Sequence, residues 1–233
     1  MNVFLEDENM KKIKPQAFIF DMDGTIVSTV EDIADSVNYA LNYHHLPTHD
    51  YSEYPAYLGN GSAKLIQRAL DEEYMNRFDE VFKTYYDHYL NNFCVKTGPY
   101  SGLIDSLEYA KKNGVLLFIY TNKPHDIAME VMNKCFPIGL FDKLVGIPLG
   151  GVTKPNPEPF FAAVKDYHLD FNRTAYFGDS TTDIQTAHNL GCKGIYSVLW
   201  GYQSEEKIKS YNIQPTAYLT KREQIKDIVD GLL

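Results

Sequence analysis

"AFIFDMDGTIVST", residues 17–29, decides the fold. Four apolar residues, Ala17 to Phe20, run without interruption into two aspartates two positions apart, Asp21 and Asp23, followed by Gly24 and Thr25. A short unbroken apolar run that stops in turn residues is the pattern of a strand buried on both faces of a parallel sheet. The aspartates then stand at the strand's carboxyl end, which is where open parallel sheets bind ligands.

Outward from that stretch the texture changes twice. From about Val30 to Pro99 the periodicity is helical: Ile33, Val37, Ala40 and Leu41 share one face of "VEDIADSVNYALNYHHL", "GSAKLIQRAL" and "RFDEVFKTYYDHYL" repeat the pattern, and no strand is predicted. After Pro99 helices and strands alternate. Strands are predicted in "VLLFIYTN", near "KLVGIPL", in "TAYFGD" and in "KGIYSVL", and helices in "GLIDSLEYAKKNG", "HDIAMEVMNKCF", "PEPFFAAVKDYH" and "TTDIQTAHNLG"; a last strand and helix fall in "TAYLTKREQIKDIVDGLL". The alternation predicts an α/β fold, a doubly wound parallel sheet forming a Rossmann-like core over 12–29 and 100–233. The helical block, 30–99, is an inserted cap meeting the core over the first strand's carboxyl end.

A chain of 233 residues can bury one full core and a smaller lobe. Its net charge of −9 opposes nonspecific binding to nucleic acid and to anionic membranes, so an anionic ligand needs a local counter-charge. The apolar run "VLLFIY" is far shorter than the roughly 20 residues that cross a bilayer, and the acidic "MNVFLEDENM" lacks the features of a signal peptide. A cytoplasmic location is the default expectation. Cys94, Cys135 and Cys192 are odd in number and widely spaced, which predicts reduced buried thiols. The 18 tyrosines are dispersed, and most are expected to be half-buried packing residues. No signal for an oligomeric state is present.

Four segments fall at predicted strand ends or just beyond: "DMDGT" (21–25), "YTN" (120–122), "TKPNP" (153–157) and "GDSTTD" (178–183). A calcium-loop reading of the first fails, because that loop wants glycine at position six, glutamate at position twelve and a preceding helix, and this chain has Ile26 and Asp32. Aspartates that merely cap a turn are the bland alternative. A second acidic pair, Asp179 and Asp183, favours a hard-cation site formed with Asp21 and Asp23, and oxygen ligands suit magnesium.

Magnesium shares its shell with carboxylates and phosphates, which points to phosphoryl chemistry. Enzymes accelerate phosphate monoester hydrolysis by up to about 10²¹-fold, and a general base supplies only about 10² to 10⁴ of that. The site must therefore combine a nucleophile, a cation and fixed donors. Asp21 can attack phosphorus, and Asp23 can protonate the leaving oxygen and then activate water. Thr121 and Asn122 offer a hydroxyl and an amide to phosphoryl oxygens, and Lys154 offers positive charge, its alternative being a solvated surface lysine.

In this order the four segments resemble the four motifs of the haloacid dehalogenase superfamily, and the helical block resembles its C1 cap. The resemblance implies a phosphatase with Asp21 as nucleophile, Asp23 as acid/base that also binds magnesium through its backbone carbonyl, Thr121 and Lys154 as phosphoryl-binding residues, and Asp179 and Asp183 as the magnesium pair, Asp183 either direct or through water. "GVTKPNPEPF", "GDSTTDIQTAHNLG" and "VLWGYQS" are similar to phosphoglycolate phosphatases. One departure is Ser28-Thr29, where that branch commonly has Asp-Ser, at the crossing into the cap.

Gly24 and Thr25 are expected to turn the chain away from a bound phosphate. In the cap, "YLGNGSAKLIQR" (57–68) is the candidate for substrate selection: Asn60 and Gly61 form a turn that backbone can bring to a ligand, and Lys64 and Arg68 either face an acidic group or form a solvated helix face. His44, His45 and His49 are expected at the surface. The expected substrate is a small phosphorylated metabolite. The rival readings are a sugar-phosphate mutase of the β-phosphoglucomutase type, a capped phosphatase of nucleotides or pyrophosphate, and a non-catalytic phospholigand module.

Overall fold

A computed structural model of the protein describes residues 14–148 and 150–231. The outer limits set for the core, 12 and 233, and the first eleven residues lie outside the described residues. The chain opens with β1 (Ala17–Phe20), turns into the two-residue β2 (Val27–Ser28), and enters α1 (Val30–Tyr43), α2 (Tyr54–Tyr57), α3 (Ser62–Ala69) and α4 (Phe78–Asn92). It returns through β3 (Gly98–Pro99) to α5 (Leu103–Lys112), β4 (Leu116–Pro124), α6 (His125–Cys135), β5 (Lys143–Ile147) and α7 (Glu158–Val164). There follow β6 (Thr174–Gly178), α8 (Thr181–Leu190), β7 (Gly194–Val198), α9 (Glu205–Lys209), β8 (Ala217–Leu219) and α10 (Gln224–Val229).

Six strands form one parallel sheet in the order β5-β4-β1-β6-β7-β8. From β1 the chain winds outward through β4 and β5, then crosses over to build β6, β7 and β8. The reversal of direction leaves a crevice at the carboxyl end of β1, between β4 and β6. Every residue of β1 is buried, which explains its unbroken apolar run. Phe18 and Phe20 join the aromatic cluster on one face, with Phe20 and Phe177 stacked at 4.6 Å, while Ala17 and Ile19 pack with Phe118, Tyr120, Phe160 and Tyr176 on the other. Truncating a ring such as Phe20 to alanine costs about 3–5 kcal/mol. The position of Asp21 is thus fixed by core packing on two faces.

Where the helical insertion leaves and rejoins the core, β2 and β3 pair antiparallel, Val27 with Pro99 and Ser28 with Gly98. The two residues of β3 fall inside the block for which no strand was predicted, because a Gly-Pro pair carries no alternation to read. Asp32, 2% exposed, reinforces the junction by accepting hydrogen bonds from the backbone N–H groups of Val95, Lys96 and Thr97 at 2.8–3.0 Å. Ile33, Val37, Ala40 and Leu41 are buried on α1, the face that periodicity predicts.

Three expectations need correction. Tyr54, Tyr85, Tyr89, Tyr120 and Tyr176 are fully buried, and several carry polar duties described below. His44 and His49 are half-buried ties within the helical block, bonded to Thr84 Oγ1 at 2.9 Å and to the Ala69 carbonyl at 2.8 Å. Cys192 is buried, but Cys94 and Cys135 are only half-buried, and tertiary folding brings their sulfurs to 3.9 Å despite their distance in sequence.

Candidate active site

The turn after β1 holds Asp21 at the crevice, where one oxygen accepts from Lys154 Nζ at 2.6 Å. No donor among the described residues reaches its other oxygen, so a lone pair faces the cavity. Burial pushes the Asp21 carboxyl up to about 7; Lys154 opposes that rise and Asp183 adds to it. Gly24 follows with φ of +85°, and a Cβ there would stand 2.3 Å from Asp179 Oδ2. Only glycine satisfies both conditions.

The second acidic pair comes from the β6–α8 turn. Asp183 is at the third position of α8 and forms a capping box with Ser180, accepting from its backbone N–H at 3.1 Å and its hydroxyl at 2.5 Å. Its other oxygen accepts from Lys154 Nζ at 2.7 Å and Tyr176 hydroxyl at 3.1 Å. Both oxygens are therefore occupied by protein donors. Asp179 accepts from the Tyr202 backbone N–H at 2.6 Å through one oxygen only. Burial, with Asp183 and Asp21 nearby, raises its pKa well above the ordinary carboxylate range.

Lys154 is a buried strut, with no resemblance to a solvated surface lysine: it is 5% exposed, and its three N–H groups meet Asp21, Asp183 and Tyr176. Burial disfavours its charge, but Asp183 and Asp21 prevail and raise its pKa. Even so, three buried carboxylates surround one cation. Asp21, Asp179 and Asp183 each place a ligand oxygen within 4.8 Å of the other two. An all-oxygen, net-negative, buried cluster is the donor set of a hard divalent cation, so magnesium fits these residues.

Beside this cluster lies a cavity of about 50 Å³ lined by Asp21, Asp23, Thr121, Asn122 and Lys154 from the core and by Ile33, Leu58, Gly61, Leu65, Tyr85 and Tyr89 from the helical block. The core and the helical block thus form facing walls of one cavity. Thr121 Oγ1 accepts from the Lys123 backbone N–H at 3.2 Å, and Asn122 Oδ1 accepts from that of Lys154 at 2.7 Å, which leaves the Asn122 amide to donate.

Sequence reasoning missed Lys123, one residue past Asn122. It is 5% exposed and donates to Asp23 Oδ1 at 2.9 Å and to the Tyr89 hydroxyl at 2.7 Å. "TNKP" placed it beside the motif, but nothing local marks an inward lysine. Tyr89, Tyr176 and Tyr202 were missed for the same reason.

The remaining candidates divide. Asn60 reaches across to the core, its amide 3.3 Å from Thr182 Oγ1, and Gly61 lines the cavity. Arg68 braces the turn before α3, donating to the carbonyls of Tyr57 and Leu58 and to Asn60 Oδ1, and borders a second, 290 Å³ cavity with Asp23, Asp179 and Lys207. Lys64 is exposed, pairs with Gln67 at 2.9 Å and lines neither cavity, so its reading as a ligand contact is not supported by its position. Thr25 is buried beneath the turn, its carbonyl accepting from Trp200, and neither it nor Gly24 lines either cavity; both act through the backbone path.

The sequence profile of haloacid dehalogenase-like hydrolases matches residues 18–196. The chain belongs to that family. A phosphoglycolate phosphatase of Mannheimia succiniciproducens is 33% identical over 198 residues, covering 78% of this chain and 85% of that protein. One from Aquifex aeolicus is 28% identical over 187 residues, covering 80% and 86%. The crystal structure described as a predicted phosphoglycolate phosphatase from Haemophilus somnus superposes with a TM-score of 0.81 at 28% identity, covering 96% of this chain and 100% of that one. Together with these relatives, the chain is a phosphatase. None of the described helices is long and apolar enough to cross a membrane.

Proposed function

We propose that this phosphatase is magnesium-dependent, takes a small phosphomonoester and passes through a phosphorylated Asp21. The observation that carries the reading is the buried cluster in which Asp21 keeps one unpaired oxygen toward the cavity while Lys154 ties its other oxygen to Asp183. That arrangement orients a carboxylate for in-line attack and surrounds it with the charge that a phosphoryl group needs.

Asp179, Asp21 and the backbone carbonyl of Asp23 would hold the metal directly, and Asp183 would either join them or orient them. Bound magnesium supplies neutralisation of phosphoryl charge. Asp21 attacks phosphorus as the ester bond breaks, Asp23 gives its proton to the departing oxygen, and Asp23 then takes a proton from the water that releases phosphate. Thr121 and the Asn122 amide donate to phosphoryl oxygens.

The division into core and cap at 29/30 and 99/100 is our reading, supported by the β2–β3 pairing at both crossings. A cytoplasmic location remains our expectation. Among substrates, phosphoglycolate comes first, because the relatives carry that name. The test is a panel of phosphoglycolate, hexose phosphates, nucleotides and pyrophosphate, with phosphate release and kcat/KM compared. Release of inorganic phosphate, fastest from a small ester, supports the reading; conversion of hexose phosphate isomers without release would establish a mutase instead.

A further inference from the structure

Resting on the phosphatase reading, we infer that Lys123 is a positioning residue that makes proton transfer by Asp23 depend on cap closure. Taking an ammonium out of water costs several kcal/mol unless partners replace the lost hydration. The side chain of Lys123 is 3% exposed, and the partners that hold it come from opposite sides of the crevice. The Asp23 carboxylate belongs to the turn after β1, and the Tyr89 hydroxyl belongs to α4 of the cap, whose ring also lies 5.1 Å from the ammonium.

Lys123 is also the sole donor to the Asp23 carboxylate among the described residues. Asp23 is partly open to the cavity, with 22% of its side chain exposed, so without Lys123 it has freedom to rotate away from a leaving oxygen. Tyr89 sets the ammonium's position in turn. The cavity takes Asp23 from the core and Tyr89 from α4, so the position of α4 over the core decides whether the Tyr89 hydroxyl reaches Lys123. Opening withdraws the Tyr89 hydroxyl from Lys123; closing restores it and re-aims Asp23. The acid is thereby in place only when the ester is enclosed.

Leaving-group dependence tests this directly. An alkyl alcohol must be protonated as it leaves, whereas p-nitrophenolate leaves without help. Lys123→Met is expected to lower kcat/KM for an alkyl phosphomonoester by about 100-fold, the lower range of a general acid's contribution, and for p-nitrophenyl phosphate by less than about 5-fold. Tyr89→Phe removes one hydroxyl from a ring that stays in place, so it tests the same role without the hazard of emptying a buried site. It should show the same selectivity at about 10-fold, the loss of one hydrogen bond to a charged group. Equal losses on both esters in both variants, or undiminished alkyl hydrolysis in either, would overturn the inference. A wild type inert toward both esters would instead remove the phosphatase reading, and this role with it.

Discussion

The hydroxyl of Tyr202 lies 2.6 Å from the backbone nitrogen of Thr29, and accepts its hydrogen bond, together with that of Val30 at 3.1 Å. The same residue's backbone N–H donates to Asp179, so a single core residue joins the acidic cluster to the start of α1. Thr29 makes no side-chain cap for that helix, and Tyr202 takes over the duty. Tyr202→Phe would orphan the buried donor of Thr29 and the half-buried one of Val30 and should cost about 1–3 kcal/mol. At about 2–4 °C per kcal/mol for a chain of this size, calorimetry should register a lower Tm; an unchanged Tm would show that the hydroxyl does not cap α1.

Gly24→Ala places a methyl group against Asp179 and demands φ of +85° from an L-residue. The variant should lose the stabilisation that magnesium gives, measured as the difference in Tm with and without the ion. Gly59 also has positive φ but open space around it, so Gly59→Ala should cost only backbone strain, about 1 kcal/mol, and keep the magnesium response.

The raised pKa of Asp21 has a definite sign for stability. The native state keeps the proton up to about 7, the unfolded chain releases it near 3.8, and so in metal-free protein this group's contribution to stability falls as pH rises through that window. Asp179 shifts in the same direction. Magnesium favours the ionised form, so the gain in Tm on adding it should grow between pH 4 and pH 7. Asp21→Asn should flatten much of that rise, and a gain independent of pH would contradict the charge balance described for the site.

Arg68 and Lys64 stand one helical turn apart and should behave differently. Arg68→Ala frees the turn at Tyr57, Leu58 and Asn60 and should raise KM by about 10-fold, the equivalent of 1.4 kcal/mol. Lys64→Ala should leave kcat and KM within about 2-fold, as surface changes remote from a site do. Steady-state kinetics on one phosphomonoester checks both.

What sequence discloses here is what neighbours in the chain can encode. "AFIF" shows its two buried faces because both fall in four residues, and Asp21, Asp23, Asp179 and Asp183 announce themselves by spacing within a turn. Lys123 is legible only through Asp23, 100 residues away, and Tyr202 only through Thr29, 173 residues away. Tyrosines that look like dispersed packing residues converge on the site once the sheet and α4 assemble. Lys64 and Arg68 share a predicted face, yet side-chain reach and the Tyr57–Asn60 turn decide which one borders a cavity, and periodicity contains neither.

In the proposed mechanism Asp21 is phosphorylated during turnover. The direct measurement is acid quenching of the magnesium-loaded enzyme within a single turnover, followed by peptide mass spectrometry. Phosphate attached at Asp21 in the wild type, and neither label nor turnover in a folded Asp21→Asn variant, is the result expected. Turnover that persists in Asp21→Asn would contradict it.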